Sequence, residues 1–339
     1  DEFNATGYGS CEELVRADID AVYVATPHPM HAPNTILALN NGKPVLCEKP
    51  FAVNARESKA MITAARTNHL LLVEAMWSRF LPHYARVRQL IAEGAIGEIH
   101  LIEADHGQPL PADPYYRLHA PELAGGALLD LGIYPISFTF MLLGRPESFE
   151  VTATKTATGV DAQTSMIFAY ENGAHALLTT TLEVRTPCTA RVVGTKGVIE
   201  IDSPFYNPTS MRLIRNGRDP ENFPKNYIGH GLREQAVEFG RLLESGALES
   251  DLMPLDDEAA RAVVRSGGGP LPLTMNCSGK HSGMLATCTL HGWVTNGAEY
   301  LRIDHPLQLA ITRVIDELAD EPDRKSTRLN SSHVKRSRM

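Results

Sequence analysis

Lys49 and Tyr134 are the two side chains whose setting in this sequence points to chemistry. Lys49 lies in Cys47-Glu48-Lys49-Pro50, directly after the apolar run Pro44-Val45-Leu46-Cys47. Tyr134 closes Asp130-Leu131-Gly132-Ile133-Tyr134, downstream of Gly125-Gly126. A lysine at the mouth of a nucleotide-binding sheet and a tyrosine on a helix of the next domain suggest proton transfer beside a hydride. Asp130 and Tyr134 are four residues apart, so a regular helix sets both on one face. A free phenol ionises near pH ~10, too high for a good base at neutral pH. A nearby ammonium lowers that value, so Lys49 and Tyr134 are predicted to form an acid–base pair with a lowered phenol pKa. The competing reading makes Tyr134 a core aromatic and Lys49 a surface cation.

These groups need a scaffold, and the front of the chain supplies one. Ala21-Val22-Tyr23-Val24-Ala25 is a short apolar run of the kind that forms a strand buried on both faces. A helix is expected over His31 to Asn40, stopped at Asn41-Gly42. Pro44 to Cys47 is the next strand, Asn54 caps a helix running to Asn68, and Leu70 to Glu74 is a third strand. A further helix is expected over Arg79 to Glu93. Alternating strands and helices predict a parallel sheet with crossover helices, an α/β partial Rossmann domain over 1–97.

Ligands of such sheets bind beyond the carboxyl ends of the strands. That rule selects Thr26-Pro27-His28, Glu48-Lys49-Pro50 and Ala75-Met76-Trp77-Ser78-Arg79 as cofactor-binding segments. The bland reading of each is a polar loop with a turn proline. Trp77 and Arg79 either cover the cofactor or pack under the crossover helix. His28 and His31 have the spacing of a metal pair but no accompanying cysteine or carboxylate cluster, so a ribose or backbone contact is expected and no metal. His230 either faces the substrate or caps its helix. A cis bond before Pro50 is open to this sequence. No strand, G-x-G-x-x-G and helix precede Asp18, so the first unit of the nucleotide fold is expected to be missing and cofactor binding to be poor.

The following region, 98–265, reads as an α+β domain with a largely antiparallel open sheet. Strands are expected at Glu98–His106, Val151–Thr158, Thr164–Tyr170, Ala174–Glu183, Thr189–Gly194, Val198–Ile201 and Met211–Ile214, with helices from Gly125-Gly126 to Leu143 and from Gly231 to Ser245. Glu171-Asn172-Gly173 and Thr195-Lys196-Gly197 are hairpin turns by composition. Asp113-Pro114-Tyr115-Tyr116-Arg117 is a loop rich in hydrogen-bonding groups.

A net charge of -8 argues against a nucleic-acid partner. No apolar stretch reads as the ~20 residues a membrane span needs. Five scattered cysteines fit a reducing compartment, hence a cytoplasmic location.

The motifs A-T-P-x-x-x-H, E-K-P, E-A-M-W-x-R-F and G-G-x-L-x-D-x-G-x-Y, all present between Ala25 and Tyr134, resemble those of the Gfo/Idh/MocA family, and within it the dihydrodiol and aldose dehydrogenases. The resemblance covers roughly Asp1 to Arg265. It implies an oxidoreductase that passes a hydride between NAD or NADP and a secondary alcohol of a sugar or cyclic diol. It implies Lys49 near nicotinamide and substrate, Asp130 holding substrate, Tyr134 as acid/base, and a homodimer through the sheet domain. Many sugar and inositol relatives carry histidine where this chain has Tyr134.

Past Leu255 the sequence changes character. Asn276-Cys277-Ser278-Gly279-Lys280-His281-Ser282-Gly283-Met284-Leu285 and Asp304-His305-Pro306-Leu307-Gln308 resemble a type II, thermolabile-like asparaginase, over about 269–319. Ser278 and Lys280 are a conceivable nucleophile and base, and the resemblance implies a metal site around Cys277 and Lys280. The amino-terminal nucleophile region of that family is absent, so the fragment, 266–322, is expected to fold poorly and to lack amidohydrolase activity. Asp323 to His333 resembles a sequencing adapter read in frame, the alternative being a basic tail with Lys335, Arg336 and Arg338. Three functions thus stand side by side: a dehydrogenase, an amidohydrolase, and a chimeric product, tail 323–339 included, with no function as a whole.

Overall fold

The computed structural model describes residues 6–256 and four short strands between Asn276 and Arg302. Cysteine-led α1 (Cys11–Arg16) opens it, capped by Ser10 accepting from the Glu13 amide at 3.2 Å. Then β1 (Val22–Val24), α2 (His31–Asn40), β2 (Val45–Glu48), α3 (Ala55–Asn68) and β3 (Leu72–Ala75) follow. The three strands pair in parallel in the order β1-β2-β3. Their register (Val24 with Cys47, Glu48 with Ala75) brings all three carboxyl ends to one edge.

Local chemistry explains these elements. Asn54 accepts from the Glu57 amide at 2.9 Å, a cap contributing about 1 kcal/mol. Helix α3 buries Ser58, Met61, Ile62 and Ala65, one stripe at helical spacing. Strand β3 is buried at every position, as a central strand with both faces covered must be. The helix expected from Arg79 begins later: Trp77–Phe80 is a 3-10 turn and α4 is Pro82–Ala92. Proline at the first helical position fixes that start, since its missing N–H costs nothing there.

The second sheet has eight strands: β4 (Ile99–Gly107), β5 (Ser148–Lys155), β6 (Asp161–Ala169), β7 (His175–Thr181), β8 (Ala190–Gly194), β9 (Gly197–Ile201), β10 (Met211–Arg215) and β11 (Glu221–Phe223). Their order is β11-β10-β9-β8-β4-β7-β6-β5. All neighbours are antiparallel except β4 and β7, which are parallel. The short links predicted antiparallel pairs; β4 escapes that rule because no hairpin joins it to β7, from which the helix and strands β5 and β6 separate it. Strand β11 and helix α1 were not expected from the sequence. Helix α6 (Arg233–Glu244) completes the set.

Between β4 and β5 the chain forms the helix that faces the first sheet. It opens with a π turn, Leu128–Gly132, and continues as α5 (Ile133–Leu143). A regular helix through Asp130 and Tyr134 was expected; the extra residue of the π turn changes their phase, a feature frequent at functional sites. The helical run Pro121–Leu143 is long and apolar enough to cross a membrane, contrary to the sequence expectation, yet 83% of its apolar window is buried inside the protein. It packs on β4 and β7 within one hydrophobic cluster that runs from Leu46 and Val73 through Tyr84 and Phe138 to Phe168, Val192 and Leu213. A second cluster beneath α2 and α3 holds Val22, Leu39, Cys47, Met61 and Leu72. The asparaginase-like segment's Ser278 and Lys280, and the tail from Asp323, lie outside the described residues.

Candidate functional site

The carboxyl edge of the parallel sheet faces the π turn and the start of α5, and the two walls meet at Lys49. The residue follows β2, and the Lys49–Pro50 peptide is cis. Its ammonium donates to both Asp130 Oδ1 and the Asp130 carbonyl at 3.0 Å and stands 5.1 Å from the centre of the Tyr134 ring. Burial alone would lower its pKa, but Tyr134, charged only at the high pH where a lysine itself titrates, and the ionised Asp130 hold it above the usual lysine value.

Asp130 is 5% exposed. Besides Lys49, Arg117 reaches it with two guanidinium nitrogens at 3.2 and 3.3 Å, and His28 Nε2 stands 3.6 Å away. Burial pushes the carboxyl up; Lys49, His28 and Arg117 outweigh that and hold it well below the usual carboxylate range. His28 is fixed from its other side, its Nδ1 donating to the Ala124 carbonyl at 3.1 Å.

Tyr134 is buried, and its hydroxyl accepts from the Trp77 indole N–H at 3.0 Å. Indole N–H can only donate, so the phenol keeps its own hydrogen for another acceptor. Its pKa is raised, against the expectation from Lys49. Burial is the larger effect, and the lysine charge and the indole hydrogen bond only reduce it. At neutral pH the site therefore holds an ammonium, a carboxylate and a neutral phenol.

Around Tyr134 stands an aromatic wall that sequence reasoning missed. His106, on the inward face of β4, stacks on Tyr206 with ring centres 4.1 Å apart, and both rings lie within about 5 Å of Tyr134, at 5.1 and 4.8 Å. Gln108 Nε2 donates to His106 Nε2 at 2.7 Å and to the Tyr206 hydroxyl at 3.1 Å. A nitrogen that accepts carries no proton, and burial agrees, pushing His106 down to about 3. Burial pushes Tyr206 up to about 12. A histidine at an inward position of a strand that otherwise buries Ile102 and Ala104 was the available signal for His106. Arg117 sits in a loop already singled out, but nothing in its spacing announced Asp130 as partner.

Several expected cofactor contacts have other occupations. Arg79 is buried, donating from Nε to the Ser137 hydroxyl at 2.9 Å and from its guanidinium to the carbonyls of Ser137 and Leu252 at 2.9 and 3.2 Å. It ties the 3-10 turn to α5 and the end of the described chain, because the turn aims it into the core rather than along the strand edge. His31 is spanned between the carbonyls of Thr26 and Pro50, both at 2.8 Å, and stitches two loops of the edge together. Burial pulls its pKa below the ordinary imidazole value, against those two carbonyls. Thr26 Oγ1 accepts from Asn34 at 3.2 Å, and Pro27 caps the 3-10 turn His28–Met30. Glu48 accepts from the Tyr23 hydroxyl and from the Lys49 amide. His230 is exposed. Its neighbour Gly231 presses on the wall, where a Cβ would lie 2.5 Å from Leu81 and 3.3 Å from Trp77.

The edge built from His28, Lys49 and Trp77 thus sets a cation and an aromatic face beyond the ends of the parallel strands. Among the described residues no glycine-rich strand-to-helix turn precedes β1.

Known proteins resemble this chain in sequence and in fold. The family model described as "Oxidoreductase family, NAD-binding Rossmann fold" matches residues 1–75, and "GFO/IDH/MocA C-terminal domain" matches 84–200. The model for "L-asparaginase II" matches 242–328, a wider span than the motifs suggested. The trans-1,2-dihydrobenzene-1,2-diol dehydrogenase of Xenopus laevis is 38% identical over 76% of this chain and 80% of its own length. The D-xylose 1-dehydrogenase (NADP(+)) of Hypocrea jecorina is 34% identical over 80% and 78%. Among solved structures, the aldose-aldose oxidoreductase of Caulobacter crescentus, complexed with glycerol, superposes with a TM-score of 0.67 at 27% identity, covering 75% of this chain and 77% of that one.

Proposed function

The chain belongs to the Gfo/Idh/MocA family of NAD(P)-dependent oxidoreductases, and on that footing we propose that it interconverts a secondary alcohol and a carbonyl of a sugar or cyclic diol, with Lys49 and Tyr134 at the reacting oxygen. The observation that carries this is the Lys49 ammonium, hydrogen-bonded to Asp130 at 3.0 Å and set 5.1 Å from the Tyr134 ring at the strand edge. When bound, the nicotinamide supplies the hydride acceptor or donor.

The protein's own part is proton management and orientation. Tyr134, held neutral by burial, is ready to give its proton to a carbonyl oxygen; the alcohol's proton returns to the same phenol oxygen in the opposite direction. Lys49 stabilises the charge that develops there. Asp130 keeps Lys49 in place, and Arg117 closes over Asp130 from the loop. The aromatic wall of Trp77, His106 and Tyr206 excludes water and gives an apolar face to a ring. The xylose and dihydrodiol relatives act on a sugar and on a cyclic diol, which this mixed wall suits.

The test is direct. Purified protein is mixed with NAD+ or NADP+ and either D-xylose or a trans-dihydrodiol, and absorbance is followed at the reduced-nicotinamide band. Turnover abolished by Tyr134→Phe supports the assignment; turnover unchanged in that variant rejects it. The likeness to L-asparaginase II favours an amidohydrolase reading only for 242–328, and ammonia release from L-asparagine decides it.

The division at residues 97 and 265 remains part of this proposal, as does a cytoplasmic location. A dimer would use the outer face of the eight-stranded sheet, where Ile167 and Leu177 are exposed beside Glu103, Arg191, Glu200 and Arg212. Sedimentation of the wild type against Ile167→Arg tests it, a single monomeric species for both being the adverse result.

A further inference from the structure

A second carboxylate is buried at the other end of the turn that carries Asp130. Asp161, first residue of β6, is 6% exposed. Its Oδ2 accepts from the Leu128 amide at 2.7 Å and from the Thr164 hydroxyl at 3.0 Å. The amides of Ala127 and of Asp161 itself also favour its ionised form. Leu128 is the first residue of the π turn, so this carboxylate takes up an amide that the helix start would leave without an intrahelical partner.

The sequence around it is shaped to admit the carboxylate. Gly126 has φ +114, and a Cβ there would lie 2.0 Å from Asp161 Oδ1. A Cβ on Gly125 would lie 2.5 Å from the Leu118 carbonyl. Gly126 therefore lets the entry of the turn lie against β6, and Gly125 lets it lie against the loop at Leu118. On the far side Thr180 of β7 donates to the His106 carbonyl at 3.0 Å. The turn is held at its start by Asp161, and Asp130 and Tyr134 follow within the same helical run.

We propose that Asp161 is a positioning residue for the acid–base pair: its carboxylate fixes the height of the π turn and through it the placement of Asp130 and Tyr134 against Lys49. The proposal rests on the oxidoreductase reading for its catalytic meaning, while the placement itself does not. Asp161 touches neither Lys49 nor Tyr134, so it acts through the turn.

The charged surroundings define what titrates. Lys155 stands opposite Asp161 in the β5–β6 register, Asp130 lies on the capped turn with Lys49 and Arg117 beyond it, and His106 on β4 is kept neutral by burial. Burial raises the Asp161 carboxyl to about 6, with the Leu128 amide and Thr164 hydroxyl opposing. Removing the Thr164 hydroxyl takes away a donor that favours the anion, so its midpoint moves up. Protonation replaces an acceptor with a donor facing an amide N–H, which releases the turn.

The experiment uses the full chain with Asp161→Asn and Thr164→Val, read in two ways. The first is kcat and KM against pH with a dihydrodiol or D-xylose and either nicotinamide cofactor. A loss of kcat of about 100-fold in Asp161→Asn with KM little changed is expected, the scale on which ~1 Å of misplacement acts. The acid limb of kcat should move to higher pH in Thr164→Val. The second needs no turnover: Trp77 emission, taken as the difference from a Trp77→Phe variant, titrated from pH 5 to 8. Trp77 is hydrogen-bonded to Tyr134 and so reports its position. A transition near pH 6 is expected in the wild type, higher in Thr164→Val and absent in Asp161→Asn. If the wild type turns over no substrate, the oxidoreductase reading fails and the emission titration still decides the role of Asp161. Should Asp161→Asn fail to fold, Thr164→Val alone carries both readouts. An acid limb and an emission transition that neither substitution moves overturn the proposal.

Discussion

The two walls of the crevice are built by different means. One wall is the carboxyl edge of the parallel sheet, where Lys49 and Trp77 follow their strands by one and two residues and His28 follows β1 by four. Its order is local: a strand ends, a short turn follows, and the His31 ring, set between the carbonyls of Thr26 and Pro50 and able when neutral to donate to one of them, joins two of the loops. The other wall is the π turn with Arg117, His106 and Tyr206, gathered from a loop, a strand and a second loop far apart in the chain. The first wall has rigidity from the sheet and the second has shape from long-range packing. Damage to the first should therefore remove chemistry outright, while damage to the second should mostly retune it.

Tyr134→Phe is the severest test, because it deletes the phenol proton proposed for transfer to the reacting oxygen. A fall in kcat of about 1,000-fold, the middle of the range for a lost acid–base group, is expected, with a modest drop in melting temperature because the buried Trp77 indole N–H loses its acceptor, at about 1–3 kcal/mol. Lys49→Met comes next. It should lower kcat and also strip Asp130 of its nearest cation, and breaking a buried pair costs about 3–5 kcal/mol, so both kcat and the melting temperature should drop. Arg79→Met separates structure from binding. It takes a donor from the Leu252 carbonyl, at about 1–3 kcal/mol for a buried group, and cofactor affinity in a fluorescence titration should stay as in the wild type.

The aromatic wall can be probed through pH. Burial pushes His106 down to about 3 and His83 to about 4 in the folded protein, against about 6.5 when unfolded. Below that value the unfolded chain binds more protons, so the stability these two contribute is present above pH ~6.5 and lost as pH falls. Asp161, raised to about 6, works the other way, since the folded state holds its proton first. One net histidine remains, about 1.4 kcal/mol for each pH unit. The melting temperature should thus fall by about 5 °C between pH 6.5 and 5, and His106→Phe should flatten that slope. Arg117→Ala should have the mildest effect. Its side chain is half exposed, so stability should change by less than about 1 kcal/mol, with a several-fold rise in KM as the sign that the loop closes on substrate.

The same contrast decides what the sequence could disclose. The parallel sheet, α2 and α3 were legible because apolar runs, Asn54 and Asn41-Gly42 are local signals. Lys49, Asp130 and Tyr134 were legible through the spacing of motifs. The sign of the Tyr134 shift was not, because it depends on how deeply the ring is buried, and burial is set by Trp77, His106 and Tyr206 converging from elsewhere. Arg79 was left between covering the cofactor and packing under the crossover helix, because its motif does not show that the 3-10 turn beginning at Trp77 swings it into the core. The parallel pairing of β4 with β7 was hidden because a turn's composition says only which neighbours in sequence pair.

That pairing has a consequence for assembly. Strands β5 to β7 form one zigzag and β8 to β11 another, and β4 alone joins them as a seam. Neither zigzag can complete the sheet until a strand made some seventy residues earlier than its parallel mate is drawn between them, so the last gap to close in folding should be the one beside His106. Amide exchange should find the seam's hydrogen bonds lasting only as long as the whole fold lasts, and a weakened seam would open the substrate wall before it loosened the sheet that holds the lysine.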